Sequence, residues 1–114
     1  MIMSFAENIN GIRLFYEIQG DGYPIILVHG FGDNKDVWLA QVGALAAYYK
    51  VITFDNRGAG KSDRPDTPYT MEMYADDIVG LMDFLKIDKA HIIGWSLGLK
   101  LNLSMGVINL LICQ

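Results

Sequence analysis

Ala90-His91-Ile92-Ile93-Gly94-Trp95-Ser96-Leu97-Gly98 is the stretch on which the fold turns. Its first six residues form a mostly apolar run of the kind a strand covered on both faces requires, and Ser96 follows directly at the end of that run. Gly94 to Gly98 then read G-x-S-x-G, the pattern of a nucleophile elbow. In such a turn the serine hydroxyl projects above the sheet, and small residues two positions to either side let strand and helix approach closely. The backbone N–H of the next residue, here Leu97, points at a developing oxyanion. Taken alone, the pentapeptide reads equally well as a serine in an ordinary turn; its surroundings have to decide.

Upstream, Ile25–Val28 is a second buried-type run that ends in the loop His29-Gly30-Phe31-Gly32, and Val51–Phe54 is a third that ends in the loop Asp55–Pro68. A helix is expected from Asp36 to Tyr48. Another is expected from Tyr69, where Tyr74, Ile78, Leu81 and Leu85 recur on one helical face, with Thr70 as N-cap and Glu72 in the first turn. At the front, Ser4–Ile9 and Ile12–Gln19 are β-type runs joined by Asn10-Gly11, the strongest short-range hairpin signal. Behind the elbow, Leu99–Met105 reads as a short helix and Val107–Cys113 as a further strand. Alternation of this kind predicts an α/β fold, a mostly parallel sheet with an N-terminal β-hairpin and helices on both faces. No linker, repeat or low-complexity stretch divides residues 1–114, so they are read as a single domain.

Composition removes several function classes. The chain has 114 residues, of which 52% are hydrophobic and 19% charged, which fits a packed domain and neither a disordered segment nor a coiled coil. Its net charge of -4 argues against nucleic acid or an anionic membrane as a partner. No apolar run reaches the roughly 18–20 residues that span a bilayer, and the first ten residues do not read as a secretory leader, so a cytoplasmic protein is expected. A single cysteine, Cys113, excludes an internal disulfide and a cysteine-rich zinc site; it reads as a small buried apolar side chain. No cofactor and no metal are expected.

Gly58-Ala59-Gly60-Lys61-Ser62 mimics the end of a phosphate-binding P-loop. The full motif needs a glycine five positions before Gly60, where this chain has Asp55, and it must lead straight into a helix. Pro65 and Pro68 instead follow within a few residues, and a carboxylate at 55 repels phosphate. Nucleotide binding is rejected.

Together, His29-Gly30-Phe31-Gly32, Asp55-Asn56-Arg57-Gly58-Ala59-Gly60-Lys61-Ser62 and Gly94–Gly98 resemble the α/β-hydrolase superfamily, in which H-G-x-G, D-x-R-G-x-G-x-S and G-x-S-x-G loops occur in this order. The resemblance runs from about Phe5 to Gly98 and is closest to the enol-lactonase and carboxylesterase branch; residues 99–114 form a divergent tail, with Leu99 where the family usually has a second glycine. It implies that Ser96 is the nucleophile of a serine hydrolase acting on a small ester or lactone, and that the N–H groups of Phe31 and Leu97 form the oxyanion hole. It also implies that His29 shapes its loop, that Asp55 and Arg57 brace theirs, and that Trp95 packs beside the elbow. Cofactor-free haloperoxidases share the same elbow, so that reaction class stays open.

The family places its acid and histidine after the serine, yet residues 97–114 contain no Asp, Glu or His. The chain therefore reads as a truncated α/β-hydrolase fold carrying the nucleophile without its partners. His91 lies on the same strand as Ser96, about 16 Å away if extended, and is no base for it. The alternative to an enzyme is an inactive fragment that self-associates through an exposed sheet edge or needs a complementing partner.

Overall fold

The computed structural model describes residues 1–30, 32–95 and 109–113. The elements run β1 (Ile2–Ile9), β2 (Ile12–Gln19), β3 (Pro24–Val28), a 3₁₀ turn (Lys35–Trp38), α1 (Leu39–Leu45), β4 (Lys50–Phe54), α2 (Met71–Phe84), β5 (His91–Trp95) and β6 (Asn109–Cys113). The six strands form one sheet in the order β1-β2-β4-β3-β5-β6. β4, β3, β5 and β6 are mutually parallel, whereas β1 pairs antiparallel with β2, and β2 antiparallel with β4. The sheet is thus mixed: a parallel half continued by the hairpin, which folds over antiparallel because a two-residue turn cannot connect parallel strands.

That turn is made by Asn10 and Gly11, both at positive φ (50° and 86°), the conformation that a two-residue type I′ connection demands. Nearby, the β1–β2 register shifts between Ala6 and Ile9, and Asn8 takes up the irregularity at φ 55°.

Alternation along the central strands sends side chains to two cores. Ile26, Val28, Ile52, Phe54 and Ile92 pack on the face covered by Ile78, Leu81 and Met82 of α2. Ile25, Leu27 and Val51 pack on the opposite face with Trp38 and with Val42 and Leu45 of α1. Helices therefore lie on both faces. Each aliphatic side chain withdrawn fully from water contributes about 1.5–3 kcal/mol, and Ile26, Leu27, Ile52, Ile78, Leu81 and Ile92 are all completely buried.

α2 begins where its sequence says it should, with Thr70 Oγ1 accepting from the Met73 N–H at 3.1 Å and Glu72 in the first turn. It ends at Phe84 with Leu85 as C-cap, and Lys86 at φ 58° turns the chain away while the Ile87 N–H bonds back to the Met82 carbonyl. The helix expected over Asp36–Tyr48 is instead two pieces. Asn34 caps a 3₁₀ turn by accepting from the Asp36 N–H at 2.9 Å, and the α-helical part stops at Leu45. There the Tyr48 and Tyr49 N–H groups both fold back onto the Leu45 carbonyl to feed β4. The strand expected over Val107–Cys113 is present as β6 over Asn109–Cys113, while the expected helix at Leu99–Met105 lies outside the described residues.

Candidate active site

β3, β4 and β5 are adjacent and in parallel register, with Val28 beside both Phe54 and Gly94. The chain segments after these strands consequently leave from one carboxyl edge, the place where open α/β sheets build their crevices. At that edge lies a cavity of about 410 Å³ whose walls include His29, Asn56, Arg57, Arg64, Tyr69 and Tyr74. β5 delivers the chain to the same edge at Trp95. Phe31, Ser96 and Leu97, the residues on which nucleophile and oxyanion hole were expected, lie outside the described residues, as does the side chain of Trp95.

His29 is buried and both of its ring nitrogens are engaged. Nδ1 lies 2.7 Å from the Gly30 carbonyl and Nε2 accepts from the Asn56 N–H at 2.9 Å. A carbonyl can only accept, so Nδ1 carries the proton and the ring is neutral. Burial pushes its pKa below the ordinary 6.5, outweighing the Gly30 carbonyl and the carboxylates of Asp55 and Asp33, which pull it up. With its only basic nitrogen held by a backbone amide, His29 is a spacer between two loops and not a base. The Asn56 side chain doubles the link, donating from Nδ2 to the His29 carbonyl at 3.1 Å. Its buried Oδ1 finds no partner among the described residues, so it can accept from a donor that arrives at this edge. His91 stands at the start of β5, away from the cavity, with its ring 4.8 Å from that of Tyr23.

The loop after β4 closes on its own first residue. Asp55 Oδ1 accepts from the Lys35 N–H at 2.8 Å and Oδ2 from the Lys61 N–H at 3.0 Å. Gly60 sits at φ 48° directly over that carboxylate, where a Cβ would collide with it. Ser62 Oγ donates to the Asp55 carbonyl at 2.6 Å and accepts from the Phe15 N–H at 2.8 Å, which ties the loop to β2. The stretch that resembles a P-loop thus wraps around a carboxylate of the chain.

Arg57 braces more than its own turn. Its Nε and Nη2 donate to Asp77 Oδ2 and Oδ1 at 2.6 and 2.9 Å, a bidentate pair between residues that are 6% and 0% exposed. The Asp77 carboxylate raises the Arg57 pKa above its ordinary value despite burial. Asn10 adds a third strand of support, donating from Nδ2 to Asp77 Oδ1 at 3.1 Å. A cavity wall, helix α2 and the hairpin turn therefore meet at one buried carboxylate. Sequence reasoning missed Asp77, although a signal was present: it falls three residues after Tyr74 and four before Leu81, an acid on an otherwise apolar stripe. Asn56 and Tyr69, whose ring packs against Gly58, left no comparable mark.

Among the described residues no cluster of His, Cys, Asp and Glu is placed to hold a metal ion, and no helix is long and apolar enough to cross a membrane.

Comparison with known proteins gives this edge its context. A family model described as alpha/beta hydrolase fold matches residues 23–98. A putative non-heme chloroperoxidase of Synechocystis sp. is 42% identical over 93 residues, which are 81% of this chain and 34% of that protein. A soluble epoxide hydrolase of Corynebacterium sp. is 38% identical over 90 residues, covering 79% of this chain and 32% of its own. The crystal structure of the enol-lactonase from Burkholderia xenovorans LB400 superposes with a TM-score of 0.79 at 38% identity, over 83% of this chain and 38% of that one. The chain spans about a third of the length of these curated relatives.

Proposed function

Because the chain belongs to the alpha/beta hydrolase fold family, we propose that it carries the nucleophile half of a serine hydrolase acting on a small ester or lactone. In this reading the Ser96 hydroxyl attacks the acyl carbonyl, and the Phe31 and Leu97 N–H groups receive the negative charge that develops on its oxygen. Donors of that kind typically contribute about 3–4 kcal/mol each to transition-state stabilisation. The observation that carries the reading is that β3, β4 and β5, parallel and in register, end at one edge, where a cavity opens.

The proton on Ser96 needs an acceptor. His29 is unsuited because its one lone-pair nitrogen is occupied by Asn56, and His91 stands at the start of β5. Residues 97–114 supply no Asp, Glu or His. The base and its acid therefore come from residues other than these. Loss of a triad member typically lowers the rate by several orders of magnitude, so these 114 residues on their own hydrolyse esters little above background.

A second reading, an inactive fragment that associates with its own copies, is favoured by that same absence of a base. Labelling with a fluorophosphonate, located by mass spectrometry against a Ser96→Ala control, separates the two. Labelling at Ser96 means that a base reaches it; its absence from a chain shown to be folded by circular dichroism leaves only the inactive reading.

A further inference from the structure

We propose that Asn10 is a spontaneous deamidation site whose conversion slackens the cavity wall at Arg57. Six asparagines occur in the chain, at 8, 10, 34, 56, 102 and 109, and only Asn10 precedes a glycine. The attacking group in this chemistry is the backbone nitrogen of the following residue, and a side chain on that residue obstructs it. Asn10 is exposed, and the Cβ position of Gly11 meets nothing within 4 Å. Glycine at 11 therefore sets no side chain in the path of cyclisation.

The Gly11 nitrogen gives up its proton to solvent and attacks Asn10 Cγ. A new N–Cγ bond forms, the Cγ–Nδ2 bond breaks, and Nδ2 departs as ammonia after taking up a proton. Water then opens the five-membered imide at either carbonyl, giving aspartate or isoaspartate. Water is consumed and ammonia released, with no oxidant or reductant.

What sets this turn apart from a generic Asn-Gly pair is the atom that leaves. Nδ2 is the donor that reaches Asp77 Oδ1, 67 residues along the chain. Its replacement by a carboxylate oxygen turns a donor toward Asp77 into a second negative charge beside it. The new carboxylate swings into solvent, and Asp77 holds Arg57 with one supporting bond fewer. The loop that Arg57 anchors carries a set of bonded amides able to report this. They are the N–H groups of Asn56, Gly58, Ala59, Lys61 and Ser62, held by His29, Asp63, Asn56, Asp55 and Ala59.

The test ages the purified chain in mildly alkaline buffer at physiological temperature and maps its peptides by mass spectrometry. Asn10 should convert to a mixture of aspartate and isoaspartate while Asn34, also exposed, stays intact. In the converted material those five amides should exchange with deuterium about 3- to 10-fold faster, the scale set by loss of one hydrogen bond. A folded Asn10→Asp protein should reproduce the increase. Asn10 remaining amide while a hairpin peptide of the same sequence converts would overturn the proposal, as would conversion with unchanged exchange at the five amides. None of these readouts depends on Ser96 being a nucleophile.

Discussion

Asp77→Ala should be among the most damaging single substitutions outside the aliphatic core. The carboxylate it removes accepts three hydrogen bonds, at 2.6 and 2.9 Å from Arg57 and 3.1 Å from Asn10. What remains is a guanidinium, 6% exposed, left with the Met73 sulfur at 3.9 Å from its Nη1. Breaking a buried pair by deleting one partner costs about 3–5 kcal/mol, because the surviving charge stays desolvated. A domain of this size holds only about 5–15 kcal/mol of stability in total, so the variant stands at the margin of unfolding. Replacing both partners by apolar residues, Asp77→Leu with Arg57→Met, removes the stranded charge and should restore most of the loss. Equilibrium urea unfolding of the parent chain, Asp77→Leu, Arg57→Met and the double variant, followed by circular dichroism, yields the four free energies of this cycle. A single-variant cost below about 1 kcal/mol, the range of exposed ion pairs, would refute the reasoning. So would a double variant whose loss equals the sum of the two singles.

Acid should weaken the fold through His29, whose folded-state pKa lies below the 6.5 of the unfolded chain. As pH falls through that value the unfolded chain takes up a proton first, so the stability present above it is lost below it, by at most about 1.4 kcal/mol per pH unit; urea midpoints measured on either side check this, and an unchanged midpoint would count against a neutral His29. Gly60→Ala should cost about 2 kcal/mol or more, because the new Cβ displaces the Asp55 carboxylate. Gly11→Ala, at φ 86° but in open space, should cost only the backbone strain of about 1 kcal/mol, and equal losses in thermal melts would show that the Asp55 contact is immaterial. β6 forms one edge of the described sheet with the apolar run Asn109–Cys113, and such edges recruit strands; light scattering should therefore find association that grows with concentration, and a monomer throughout would contradict it.

Much of the fold was legible because its signals are local. Asn10-Gly11 fixed a hairpin, Thr70 and the stripe at 74, 78, 81 and 85 fixed a helix, and buried-type runs fixed three parallel strands. The helix expected across residues 36–48 misread a decision made elsewhere. Asn34 diverts its start into a 3₁₀ turn, and its end yields to the chain's entry into β4. Of the three motifs, those at residues 29–32 and 55–62 border the described cavity, while residues 96–98 lie outside the described residues, and the mechanism of support was not legible at all. That Arg57 reaches Asp77, or that His29 accepts from Asn56, depends on contacts between segments 20 and 27 residues apart. No periodicity or spacing encodes such contacts. Asp77 alone stood out in principle, as a charge on an apolar stripe.

The Asp55 carboxylate sets a condition on what chemistry position 55 tolerates. It is approached from two sides by backbone N–H groups, of Lys35 and of Lys61, and each side is a donor. Two donors facing one planar group require an acceptor on both of its ends, and a carboxylate meets that requirement whichever way it is turned. An amide of the same shape has one accepting end and one donating end, so it satisfies either segment and repels the other. Asparagine at 55 would set the segment after β3 and the segment after β4 in competition for a single oxygen. Beside the double link between His29 and Asn56, the two segments are held together by one side chain that has no front and back.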